Sequence, residues 1–169
     1  ILGMVTLQNK GIQYTQDAVH RDAAASLTND LIEIMRAHKD DLFENRPPAY
    51  YSYSKIKNSV DSLYNGSGGL AASKSNCVSS PQTLAQQAGC WLQKLEDSLP
   101  GTASGDAKGM LRLCPSYALT GGVPVCAGSS YEGSTVMIQL AWEVRDNACD
   151  STKQVNEPSI CTYVTRVEL

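Results

Sequence analysis

The side chains in this chain that could do chemistry are six cysteines, two histidines and a scatter of carboxylates, and their spacing limits what that chemistry can be. The cysteines are Cys77, Cys90, Cys114, Cys126, Cys149 and Cys161, and none occurs before residue 77. An even count with no C-x-x-C motif and no zinc-like pairing points to structural disulfides in an oxidising compartment, hence to an extracytoplasmic protein. Sequence alone cannot choose among the possible pairings. Spacing favours sequential pairing, because Cys77/Cys90, Cys114/Cys126 and Cys149/Cys161 are separated by 13, 12 and 12 positions and would make three local staples. Loops of that size each contribute roughly 3 kcal/mol in the chain-entropy account when the geometry is unstrained.

The remaining candidates point away from catalysis. His20 and His38 have no metal-ligand partner four residues on, and no H-E-x-x-H occurs. A Ser-His-Asp site is defined by geometry and could assemble from distant residues, but no motif supports one. The run Asn65-Gly66-Ser67-Gly68-Gly69 lacks the Gly-Lys-Ser/Thr of a phosphate loop and reads as a flexible turn. Asp146, Asn147 and Asp150 could attract calcium, yet without an EF-hand pattern they read as a solvated turn. The expectation is no enzyme, no cofactor and no metal.

What must position these residues begins with a long helix. Ile12, Val19, Ala23, Leu27, Leu31, Ile34, Met35 and Leu42 recur at close to the helical period, which predicts a helix over residues 1–43. Lys10, Gln13, Asp17, Arg21, Asn29, Glu33 and Arg36 mark the polar side, with Asp17/Arg21 and Glu33/Arg36 spaced to support it. Such a helix would be about 65 Å long, more than the width of a small head, so part of it is expected to project or to meet a partner. Arg46-Pro47-Pro48 is expected to end it. The opening Ile1-Leu2-Gly3-Met4-Val5 has no initiator methionine and no cap, so the helix reads as cut, with an apolar upstream segment removed by processing or truncation. The plainer alternative is that the chain starts within an amphipathic core helix. No window reaches the roughly 18 apolar residues of a membrane span.

Residues 44–80 read as a connecting loop region rich in Ser, Asn, Gly and Tyr, long enough to suggest function or motion. Ile56, Val60 and Leu63 could form a short helix within it, and Tyr50, Tyr51 and Tyr53 could seal it to the head or contact a partner. Residues 81–169 hold a helix and then strands. Ser80-Pro81 offers a cap followed by proline, and Leu84, Ala88, Trp91, Leu95 and Leu99 form a stripe ending at Pro100-Gly101. Period-two patterns follow over 110–114, 136–145 and 163–169, and turn-rich joints between them favour antiparallel pairing. The fold class is α+β, one domain, with the long helix packed on an antiparallel sheet, a short second helix and disulfide-stapled loops. A net charge of −3 with few clustered Lys or Arg argues against nucleic acid as a partner.

The stretch Leu2-Gly3-Met4, Gln8, Ile12-Gln13-Tyr14-Thr15 and Leu31-Ile32-Glu33-Ile34-Met35-Arg36-Ala37 resembles the helix that follows the membrane segment in PilV-type minor pilins of type IV pili. Cys90-Trp91-Leu92, Leu140-Ala141-Trp142 and the terminal Cys161-Thr-Tyr163-Val-Thr-Arg166-Val167-Glu168-Leu169 look like the head and last strand of that family. The resemblance implies a pilin-like fold, with a helix that anchors in the membrane before assembly and forms the filament core afterwards. It implies an assembly interface on Leu2, Val5, Ile12 and Val19. It implies other minor pilins, the major pilin and a tip adhesin as partners in a priming complex that starts pilus assembly and supports twitching motility and adhesion. The head would lie in the periplasm, held at the inner membrane through a missing upstream anchor, and then in the pilus, at its tip. The family's processing site and early acidic residue map onto no residue here. Two alternatives stand beside this: a pseudopilin of a type II secretion system, and a secreted disulfide-rich recognition domain binding a peptide or glycan through the tyrosine-rich loop.

Overall fold

The computed structural model describes residues 2–57, 63, 69–115, 119–121, 123–124, 126, 133–145, 148–150, 152 and 157–169; for 2–7, 9, 10, 119, 123 and 124 it describes the backbone alone. Val60, Asn65 to Gly68, Asp146 and Asn147 lie outside these residues.

Helix α1 spans Leu2–Ala37, 36 residues, which is shorter than the 1–43 expected from periodicity. Its end is set by burial further on, ahead of the prolines. The His38 amide bonds to both Ile34 O and Met35 O, at 3.2 and 3.3 Å, tightening the last turn. A single turn, α2 (Lys39–Leu42), follows, and then Phe43 is already extended at φ −104°, ψ 142°. Leu42 and Phe43 are both fully buried, and burying side chains of that size stabilises by roughly 1.5–3 kcal/mol each. A straight continuation of α1 would present them at helical spacing rather than as adjacent residues in the same core.

Strands β1 (Phe43–Asn45) and β2 (Ser54–Ile56) pair antiparallel, with Phe43 opposite Ile56. The region expected as an open loop therefore contains a two-stranded ribbon, and Ile56 belongs to a strand rather than to a short helix. A 3₁₀ turn at Lys74–Asn76 leads to α3 (Leu84–Ser98). The cap of α3 is Thr83, not Ser80. Thr83 Oγ1 accepts the Gln86 amide at 3.3 Å and Gln86 Oε1 accepts the Thr83 amide at 3.2 Å, a reciprocal capping box that outcompetes proline at the first position.

The turn α4 (Asp106–Gly109) precedes β3 (Arg112–Pro115), and the short strands β4 (Leu119–Thr120) and β5 (Val123–Pro124) form a ribbon of their own. Then come β6 (Thr135–Val144) and β7 (Ser159–Glu168). The main sheet is antiparallel with order β3-β6-β7. β6 is central, and every residue from Val136 to Trp142 is buried, so both faces of this strand are covered. Helix α1 packs on β6, β7 and α3, while α4 also reaches β6. The buried polar Gln139 is satisfied by donating from Nε2 to Met110 O at 2.8 Å.

One contiguous core joins Ala24, Leu27, Leu31 and Met35 of α1 to Leu84, Ala88, Trp91 and Leu95 of α3 and to Leu113, Val136, Ile138 and Trp142 of the sheet. Cystines join Cys77 to Cys90, Cys114 to Cys126 and Cys149 to Cys161, the sequential pairing, with Cα separations of 4.5, 5.1 and 5.1 Å. Each is a local staple, and the first fixes the 3₁₀ turn to the middle of α3. The molecule is a mixed helix and antiparallel-sheet protein with a long N-terminal helix and three disulfides. No helix among the described residues is long and apolar enough to cross a membrane.

Candidate assembly surface on the first helix

Helix α1 is divided by its surroundings. From Ala24 to Met35 its apolar stripe is buried against α3 and the sheet. Upstream of that point the buried face runs on through half-buried Asp17 and His20, while Ile12 and Val19, about 60–160° round the helix from the buried side chains, are 57% and 59% exposed. At 100° per residue the two side chains, two turns apart, point within roughly 20° of each other. With Gln8, Gly11, Thr15, Gln16 and His20 they line a shallow, largely apolar depression of about 510 Å³. Leu2 and Val5 lie on the same helix, and their side chains are outside the described set. Of the residues expected as an interface, Ile12 and Val19 are thus brought onto one open face.

The boundary between covered and open helix is marked by the last disulfide. Asp17 Oδ1 lies 3.7 Å from Cys161 Sγ, and Arg21 Nη2 lies 3.9 Å from Cys149 Sγ. Asp17 and Arg21 form their own ion pair at 2.9 Å, one turn apart. Asp17, Cys149 and Cys161 bring potential ligand atoms within 4.8 Å of one another. Because the two sulfurs are bonded together, neither is a thiolate, and this group does not make a metal site as it stands.

The other candidates are dispersed. His20 Nδ1 is buried without a hydrogen-bond partner among the described residues, and His38 Nδ1 sits 3.6 Å from Asp41 Oδ2, some way along the chain. Asp150 Oδ1 accepts from the Thr152 amide at 3.0 Å and from its hydroxyl at 2.6 Å, so this carboxylate caps its own turn.

The tyrosines divide between two roles. Tyr50 and Tyr51 are exposed. Tyr53 folds back, its ring centroid 5.9 Å from that of Phe43 and its hydroxyl donating to Asp40 Oδ1 at 2.9 Å, with Lys39 Nζ 5.5 Å from the ring centre. The bond to Asp40, then desolvation and the carboxylate's charge, hold the Tyr53 phenol above its ordinary pKa of 10.0, with Arg46 opposing. Sequence reading missed the Tyr53–Asp40 pair. Its only signal was an acid near the end of a helix and a tyrosine 13 positions on, a spacing with no fixed structural meaning.

Comparison with models of known protein families, with curated proteins and with solved structures gives no match for this chain.

Proposed function

We propose that this protein is a filament subunit of the pilin class, a PilV-type minor pilin that joins other minor pilins, the major pilin and a tip adhesin in a complex that starts type IV pilus assembly. The observation that carries the reading is the division of α1: a buried stripe from Ala24 to Met35 holds the head, while Ile12 and Val19 on the preceding turns stay open. A helix that leaves large apolar side chains in water is stabilised by finding a partner surface. The resemblance of the first 37 residues to the pilin helix supplies the kind of partner, namely sister helices in a filament core. In the bilayer a helix satisfies its own backbone hydrogen bonds, so the membrane anchor that the pilin resemblance implies exchanges lipid for sister helices without unfolding. The role is structural rather than catalytic, at the inner membrane before assembly and in the pilus afterwards.

The test is Val19→Asp introduced into the producing organism. The disulfide-bonded head of this variant is expected to remain folded, since Val19 contributes little to its core, while surface filaments and twitching are lost. Normal filaments and motility with Val19→Asp would count against the proposed interface. A type II secretion pseudopilin would use the same open face, and that role would show instead as lost protein secretion with pili intact.

A further inference from the structure

A second cavity lies away from α1. A cleft of about 470 Å³ opens between α3, residues 69–75 and the junction of α4 with β3. Leu70, Leu92 and Leu111 give it an apolar wall, and Lys74, Glu96, Lys108 and Arg112 give it charge. These four residues are spread over nearly forty positions of sequence with no motif, so only the fold brings them together.

Their charges do not balance. The Glu96 side chain is only 7% exposed and is paired with Lys74 Nζ. Lys108 Nζ donates to Ala103 O at 3.1 Å and keeps further donors. Arg112 Nη1 donates to the Gly109 and Leu111 carbonyls, leaving Nε and Nη2 without a partner among the described residues. Neither Lys108 nor Arg112 faces a carboxylate in an ion pair among those residues. In a chain with net charge −3, this cleft is locally cationic.

The site is also held in shape before any ligand arrives. The Cys77–Cys90 disulfide ties the 3₁₀ turn to α3, and the backbones approach so closely that a Cβ on Gly89 would lie 2.6 Å from Ser73 O. A preformed wall of this kind lowers the ordering cost of binding.

We propose that this cleft binds a hydroxylated carboxylic acid of monosaccharide size, a hexuronic acid either free or at the end of a glycan. The carboxylate meets the open donors of Arg112 and Lys108. Glu96, nearly buried in the same cleft, accepts only hydrogen-bond donors, which hydroxyls supply and a simple anion does not. The leucines cover the C–H face of the ring, and the volume is within the range of small-ligand sites. Binding here does not depend on filament assembly.

The experiment titrates the purified chain with D-glucuronate, D-glucose, acetate and a glucuronate-terminated oligosaccharide, read by calorimetry and by amide NMR shifts. Saturable glucuronate binding, at least about tenfold tighter than glucose or acetate, is expected, with Lys108→Ala and Arg112→Gln each weakening it about tenfold at unchanged Tm, as for one lost charge-assisted hydrogen bond. Should Arg112→Gln lower Tm, the exposed Lys108 decides alone. Tighter binding of the oligosaccharide assigns the site to a glycan end and weaker binding assigns it to the free acid, both within the proposal. No saturable glucuronate binding, acetate bound as tightly as glucuronate, or full binding by folded Lys108→Ala would overturn it.

Discussion

The indole N–H of Trp91 on α3 donates to the backbone carbonyl of Leu27 on α1 at 2.7 Å, a buried bond between residues 64 positions apart. It clasps the two helices at the centre of their contact. The exposed Lys94–Asp30 pair links the same helices at 2.5 Å, but its side chains are 59% and 44% exposed. Solvent leaves such pairs worth about 0–1 kcal/mol, whereas a buried bond together with the ring that makes it is worth more. Trp91→Phe is expected to destabilise the fold by about 2 kcal/mol through the lost bond and the space left behind. Lys94→Ala is expected to cost under about 1 kcal/mol. Urea unfolding of both variants checks the order, and an equal loss in the two would refute it.

How far the fold was legible follows from which residues carry local and which carry distant information. The α3 stripe Leu84, Ala88, Trp91, Leu95 and Leu99 is wholly buried, and β6 and β7 occupy the alternating segments, because periodicity reports a face wherever that face is covered. Ile12 and Val19 fall in the one pattern with Leu27 and Leu31, yet they point well round the helix from the buried face and are exposed. A repeat shows that a face is apolar without saying what meets it. The end of α1 was misplaced because the burial of Leu42 and Phe43 and the pairing of Phe43 with Ile56 depend on chain folding back from further on. The cap of α3 was legible as Thr83 with Gln86 three residues later, and Ser80-Pro81 distracted from it. Sequential cysteine spacing did match the pairing found. Of the open helix face, Ile12 and Val19 were legible and the residues between them were not; the cationic cleft was not legible at all.

Gly89 gives a prediction opposite to helix propensity. Alanine in the middle of α3 would ordinarily stabilise a helix by about 1 kcal/mol over glycine. Here its Cβ would lie 2.6 Å from Ser73 O and 3.0 Å from Cys77 N, backbone atoms held by the Cys77–Cys90 staple. Gly89→Ala is expected to lower Tm in the oxidised protein, and to do so less when Cys77 and Cys90 are both replaced by Ala. A Tm raised by Gly89→Ala in the oxidised protein would show that the two segments are not held this closely.

Tyr53 predicts an alkaline limit to stability. Its folded pKa lies above the ordinary 10.0 because the Asp40 carboxylate accepts the phenolic proton. The folded state then holds that proton more tightly than the unfolded state, so the contribution is fully present below pH 10.0 and is lost as pH rises through the folded value. Tyr53→Phe is expected to flatten this part of the pH dependence of unfolding. An unchanged alkaline slope in Tyr53→Phe would assign the effect elsewhere.

The open face of α1 makes a chemical prediction as well. A photo-cross-linking side chain at position 19 in cells is expected to capture another filament subunit, whereas one at position 21, where Arg21 is exposed about 160° round the helix, is expected to capture far less. Equal capture at the two positions would show that the apolar face has no special role.

The measurement closest to the central claim is mass spectrometry of the native protein from membrane, sheared-filament and free secreted fractions of the producing organism, reading its N-terminus as well as its location. The filament reading predicts the protein in both membrane and filaments, with an apolar segment and an early acidic residue ahead of Ile1. A protein found only free in solution, with its mature N-terminus at or near Ile1, would contradict the account.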